Sequence, residues 1–172
     1  MVKRTSLAGC ECPIARALDA IGDWWSLLII RDALLGRRRF GEFQKSLGLA
    51  RNILTVRLRS LVGQGILEMA PASDGSAYQE YVPTPKGRGI FPILVSLQQW
   101  SEKFDAHPEE IGTILVDREN GRPVKPLELH SSDGRLLGLG DTTLKPRPKS
   151  PLRAKRSNPE MFPRKQSGPL RR

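Results

Sequence analysis

Up to residue 104, apolar residues recur every three or four positions and glycines punctuate the runs. That spacing predicts a series of amphipathic helices. In CPIARALDAIG, Ile14, Ala17, Leu18 and Ile21 keep helical spacing. Pro13 suits a first helical position, where its missing N–H would be unpaired anyway, and Gly22 ends the helix. In DWWSLLIIRDALLG, Asp23 reads as an N-cap, and Trp25, Leu28, Ile29, Leu34 and Leu35 cover more than one face. A helix apolar over that width belongs at the centre of a fold. Gly36 stops it. After Arg37, Arg38 and Arg39, residues 40–47 form a short helix with Phe40, Phe43 and Leu47 at core spacing. Gly48 turns the chain into a further helix from Ala50 to about Val62, with Leu54, Leu58 and Leu61 on one stripe and Gly63 and Gly65 at its end.

Beyond that helix the period changes. Residues 66–70 and 78–82 read as two strands of a hairpin around the turn-forming cluster 71–77. From Pro85 or Lys86 to Phe104 runs a long amphipathic helix whose apolar side is Ile90, Ile93, Leu94, Leu97, Trp100 and Phe104. Pro92 lies inside it, which predicts a kink or an early break. Residues 105–143 read as a small β unit, with short strands at 124–129 and 135–139 around the turn Ser131-Ser132-Asp133-Gly134. Residues 144–172 hold six Pro, ten basic side chains and few large apolar ones, the composition of a disordered basic tail.

Helix, helix, glycine turn, helix, hairpin is the order of a winged helix-turn-helix. The expected fold class is therefore mainly α with a small β-hairpin wing. The expected division is an N-terminal arm (1–12), a winged helix-turn-helix domain for DNA binding and dimerisation (13–104), a small β extension (105–143) and the tail (144–172). In such proteins the second helix of the pair enters the major groove. At 100° per residue, an inward Leu54, Leu58 and Leu61 puts Asn52, Val56, Arg59 and Ser60 outward, with Ile53 and Thr55 on the flanks. Arg51 and Asn52 fall in the first turn, where base edges are read. Arg can pair with guanine, Asn with adenine, and Val56 can meet a thymine methyl. Arg57 and Arg59 fit phosphate contact or support at the edge of the core. Arg37, Arg38 and Arg39 suit phosphate, or else a solvated loop.

Charge strengthens that picture. The chain of 172 residues carries a net charge of +10, with 28 Lys+Arg against 18 Asp+Glu. Such a balance favours a polyanion such as double-stranded DNA. It has two sources: residues 1–104 and the tail are basic, whereas residues 105–143 are acidic. The other chemistries leave weaker marks. No Gly-rich phosphate loop, nucleophile elbow or paired His-Cys or His-Ser motif is present, so no enzyme is expected. His107 and His130, with Asp117 and Asp133, lack metal-ligand spacing, so neither metal nor cofactor is expected. The two cysteines, Cys10 and Cys12, are too close to staple a fold. The N-terminus lacks an apolar signal-peptide core, and apolar runs such as residues 27–30 are too short to span a membrane. A cytoplasmic location is expected.

The stretches CPIARALDAIGDWWSLLIIRDALLG, RRFGEFQKSLG, LTVRLRSLVGQGIL and YVPTPKG closely resemble the HxlR-type transcriptional regulators. The resemblance covers about residues 10–104. It implies a winged helix that dimerises largely through its first and last helices, which would bury Leu18, Leu97 and Trp100 between the subunits of a homodimer. It also implies regulation of transcription, as by a repressor, with the dimer switched by an oxidant, an electrophile or a small ligand. Cys12 matches the N-terminal cysteine that some members use as a thiol sensor. At the N-terminus of the first helix its thiolate would be favoured, with Lys3, Arg4 and Arg16 adding to the effect and Glu11 opposing it. The competing role for Cys12 is helix packing. Two departures stand out: Pro83 occupies a place where the family usually has Leu, and the wing tip Ser73-Asp74-Gly75-Ser76 lacks the basic residues common in wings. Residues 115–134 resemble a C-terminal extension with cysteine metal ligands in some members. Here Asn120, His130 and Asp133 stand in those places, as in a zinc-ribbon-like unit without its ligands. The alternative function is a winged helix that contacts protein or RNA, or an architectural DNA binder driven by its tail.

Overall fold

The structure is a computed structural model that describes residues 6–105 and 113–146. The N-terminal arm is thus described from Ser6, and almost all of the predicted tail, with His107, lies outside the described residues. Among the described residues the order is α1 (Pro13–Ile21), α2 (Trp24–Leu34), α3 (Phe40–Leu47), α4 (Arg51–Gly63), β1 (Leu67–Pro71), β2 (Gln79–Pro83), α5 (Pro85–Arg88) and α6 (Phe91–Phe104). This is a mainly helical fold with a two-stranded antiparallel hairpin, a winged helix-turn-helix. The chain divides into two compact units between Leu127 and Glu128.

Local chemistry sets the boundaries. Pro13 opens α1, and the Gly22 N–H closes it by donating to the Leu18 carbonyl at 2.8 Å. A Cβ on Gly22 would come within 2.4 Å of that oxygen, so only glycine fits. Asp23 caps α2 as expected, accepting from the Ser26 N–H at 3.2 Å and from the Ser26 hydroxyl. Gly48 ends α3 in the left-handed region, at φ 64°, where an ordinary side chain is disfavoured.

The core forms around α2, which packs on α1, α3, α4, α6 and β2. Ile29, Ile30, Phe43, Leu54, Leu58 and Leu61 have no exposed surface. Burial of each such side chain is worth about 1.5–3 kcal/mol, and the leucine stripe of α4 is what fixes that helix's rotation.

In the wing, Leu67 pairs with Pro83 and Met69 with Tyr81. Both strands lie one residue later than the sequence predicts. Pro83 is accommodated because it ends its strand, where no ladder N–H is needed. The next donor, the Thr84 N–H, returns to the Ile66 carbonyl at 3.1 Å.

Three other expectations are refined or corrected. The single helix from 85 or 86 to 104 is two helices: of the kink or early break expected at Pro92, it is the break that stands. Pro92 sits in the first turn of α6, where it is tolerated, and the break falls earlier, at Gly89–Ile90. The apolar side expected for that helix is only partly covered by the subunit's own core, and Val95, outside that set, is buried. Ile90 and Val95 are buried and Leu94 is half-buried, while Ile93, Leu97, Trp100 and Phe104 are exposed. The strands expected at 124–129 and 135–139 are absent. Isolated bridges, Val116 with Pro123 and His130 with Leu136, stand instead. Pro123 and Pro126 remove ladder donors there. Side chains also draw backbone groups into turns: Asp117 accepts from the Glu119 N–H at 2.9 Å, and the Ser131 hydroxyl accepts from the Arg135 N–H at 3.0 Å.

Candidate DNA-binding surface

The helix pair α3–α4 turns at Gly48 and is held from beneath by Leu49, Leu54 and Leu58, all buried. This burial presents the opposite face of α4. Asn52, Val56, Arg59 and Ser60 are exposed along it, and Thr55 is half-buried at its flank. The expected rotation of the helix and the observed burial agree residue by residue. Val56, at 61% exposure, is an apolar side chain that the described residues leave largely open.

The arginines differ in how far they are committed. Arg51 lies over the Phe40 ring, 5.6 Å from its centroid, which fixes the guanidinium at the start of α4. Thr55 spends its hydroxyl on the Arg51 carbonyl at 2.7 Å, leaving its methyl group to face outward contacts. Arg57 turns back to Asp23, with Nε 3.4 Å from Oδ1. It therefore ties α4 to the N-cap of α2. Among the described residues, no carboxylate holds Arg59.

The run Arg37–Arg39 is bound to the protein itself. Arg37 Nη1 is 3.5 Å from Oδ1 of buried Asp32. Arg38 is anchored by its backbone: its carbonyl accepts from the Tyr81 N–H at 2.8 Å, joining this segment to β2. Arg39 reaches the wing, where it bonds the Asp74 carboxylate, lies 3.5 Å from Glu80 Oε1, and covers the Tyr78 ring at 5.8 Å. The Asp74 carboxyl is held well below the usual carboxylate range, mainly by hydrogen bonds from Ser76 and Arg39. Glu42 is also lowered, because it accepts the backbone N–H groups of Arg38 at 2.7 Å and Arg39 at 2.9 Å. The acidic wing tip, noted in the sequence only as a lack of basic residues, is thus the partner of Arg39. Sequence reasoning also misses Lys45, which is exposed on the last turn of α3 beside this surface.

The remaining candidates are separate. Cys12 is exposed at the N-cap of α1 and makes no side-chain cap there, and Cys10 is half-buried. Arg16 Nη1 donates to the Cys10 and Glu11 carbonyls at 2.6 and 2.8 Å, so this guanidinium clasps the arm that carries both thiols. Leu18, Leu97 and Trp100 are about half exposed, at 50%, 47% and 55%. In the second unit His130 uses both ring nitrogens, with Gly134 O at 3.0 Å and Glu128 Oε2 at 3.2 Å. Among the described residues, no cluster of three or more His, Cys, Asp or Glu is placed to hold a metal ion, and no helix is long and apolar enough to cross a membrane.

The HxlR-like helix-turn-helix family model matches residues 20–109. The uncharacterized HTH-type transcriptional regulator Mb3122 of Mycobacterium bovis is 34% identical over 135 residues, which cover 78% of this chain and 85% of that protein. Among solved structures, the candidate transcription factor PA1607 is 51% identical with a TM-score of 0.78, over 82% of this chain and 99% of that one. PA1374 from Pseudomonas aeruginosa is 42% identical with a TM-score of 0.57, over 81% and 94%. The chain belongs to the HxlR-like helix-turn-helix family, and is a DNA-binding transcriptional regulator rather than an enzyme.

Proposed function

We propose that this regulator recognises a specific operator as a homodimer, inserting the outward face of α4 into the major groove of each of two half-sites. The observation that carries the reading is that face itself. Asn52, Val56 and Arg59 stand exposed together on a helix whose opposite side is fully buried. A purely architectural binder needs no such base-reading set. The exposed apolar residues of α6, with Leu97 and Trp100 among them, support pairing of two copies beside α1 and Leu18. Half-sites would then lie about one helical turn, or a multiple, apart. Repression is the proposed mode, released by an oxidant or electrophile at Cys12 or by a small ligand.

A gel shift and footprint on the DNA upstream of the chain's own gene test this, with excess unrelated duplex as competitor. A protected two-half-site segment that survives competition supports the reading. Binding that competitor removes in proportion to its mass would instead favour an architectural role driven by the basic tail.

A further inference from the structure

The first unit contains an open cavity of about 760 Å³ beside α6. Its floor is apolar: Leu34 and Leu35 from the end of α2, Phe91 and Val95 from α6, and Leu115 and Leu127 from the segment that follows. Its rim carries Arg118, Arg122 and Lys125. Among the described residues, no carboxylate forms an ion pair with any of the three. Asp117 also lines the cavity; its carboxylate accepts from the Glu119 N–H at 2.9 Å and the Asn120 amide at 2.7 Å and keeps its charge, so three cations stand against one anion and the lining stays positive. Two neighbouring side chains of α6 pin the wall: Gln98 Nε2 donates to the Thr113 carbonyl at 3.1 Å, and Gln99 makes two bonds. Gln99 Nε2 donates to the Lys125 carbonyl at 3.2 Å, and Gln99 Oε1 accepts from the Leu127 N–H at 2.8 Å. Thus the 115–127 segment is fastened to α6 along the cavity.

Pockets that hold small molecules have this size and character, with an apolar body and a few polar groups that fix orientation. We propose that this cavity is a binding site for an organic anion with a ring or chain body, the apolar part lying on Leu35, Phe91 and Val95 and the acid group meeting Arg118, Arg122 and Lys125. Charge complementarity selects this occupant, since three unpaired cations around an apolar floor suit neither a neutral lipid nor a cation. The position suits an effector, a role that rests on the regulator reading above. The floor joins the end of α2 at Leu34, three residues before Arg37, to α6, the helix proposed to pair the subunits.

Calorimetry on the full chain, without DNA, tests the site with two probes of one shape: 2-naphthoate and uncharged 2-naphthylmethanol. Naphthoate is expected to bind about tenfold tighter, the usual scale of a hydrogen bond to a charged group. Arg118→Ala with Arg122→Ala should bring the two probes together, and Leu35→Glu, at an exposed position, should repel naphthoate. Equal binding of the probes by the native chain, or naphthoate affinity unchanged in either variant, overturns the proposal. Sedimentation of the same samples reads the rival occupant. If Leu35→Glu dissociates a dimer while naphthoate affinity persists, the floor is a face between copies. Because no DNA is present, failure of operator recognition would leave a positive binding result standing.

Discussion

The guanidinium of Arg39, at the start of α3, is hydrogen-bonded to the carboxylate of Asp74, at the tip of the wing. A residue that the sequence offers to phosphate is therefore engaged inside the protein, and the wing is fastened to the helix pair. Asp74→Ala should leave the fold intact, since both side chains are substantially exposed. It should release Arg39 and remove an anion beside the DNA. The expected result is tighter binding and a slope of log K against log salt steeper by about 0.9 per half-site. Fluorescence anisotropy on a duplex across a salt series reads this, and an unchanged slope would mean that Arg39 stays with Glu80 and Tyr78.

On α4, Asn52 and Arg59 should fail in different ways. Asn52→Ala is expected to cost about 1–3 kcal/mol on the operator and to relax one base position. Arg59→Ala should weaken all sequences alike and flatten the salt slope by about 0.9 per half-site. Arg57→Ala should act through the Asp23 contact and lower stability more than specificity. Titrations on operator and scrambled duplexes, beside a urea melt, separate the three. Equal losses on both duplexes for Asn52→Ala would contradict the assigned face.

These differences mark where the sequence could be read. The stripe Leu54, Leu58, Leu61 reveals the rotation of α4 because one face of that helix is wholly buried by its own chain. The same reasoning gives an apolar side for α6 without showing which part of it the core covers, and it leaves out the buried Val95. Periodicity cannot tell a face that meets the core from one held for another partner. Pairings between distant side chains leave no periodic trace, so neither Arg39 with Asp74 nor the Gln99 clamp was legible. Arg57 was legible only as phosphate contact or core-edge support. For the strand expected at 124–129, Pro126 within it and Pro123 just before it remove ladder donors, which outweighs the alternation of apolar residues there.

Glu42 gives a pH dependence of known sign. Its carboxylate receives the N–H groups of Arg38 and Arg39, so its folded pKa lies below the ordinary carboxylate value. A group depressed by folding adds stability above its unfolded pKa and loses it as pH falls through the folded one. Glu42→Ala should therefore cost about 0.5–1 kcal/mol at pH 7, at the low end for a cap because the site is exposed. The difference should shrink as pH falls below the ordinary glutamate range. Urea melts of both proteins at pH 7 and at acid pH check this, and a constant gap would show that Glu42 acts by packing.

The exposed stripe of α6 predicts an assembly. Leu97→Asp places a charge on a residue that its own chain leaves 47% exposed, so the subunit should still fold. In a paired state the same charge would be buried without a partner, which costs several kcal/mol. Sedimentation should show the native chain as a dimer at micromolar concentration and the variant as a monomer with an unchanged circular dichroism spectrum. A native monomer would remove the two-half-site operator with it.

Cys12 tests whether the signal enters through sulfur. The thiol is exposed at the N-cap of α1 and makes no side-chain cap bond there. Arg16 Nη1 donates to the carbonyls of Cys10 and Glu11, so the backbone just before Cys12 is held in place. No cysteine follows Cys12 in the chain. Oxidation can therefore join only N-terminal cysteines, within or between subunits, or cap the thiol with a small molecule. If α1 lies in the dimer interface, either product would alter the spacing of the two α4 helices. Diamide or a quinone should then release the native protein from its operator and leave Cys12→Ser bound, with reductant reversing the diamide effect. Alkylation by iodoacetamide, which adds bulk without a disulfide, separates the two routes: release by it would assign the effect to capping, and retention to cross-linking. If the native protein and Cys12→Ser respond alike, Cys12 is a packing residue and the signal enters elsewhere.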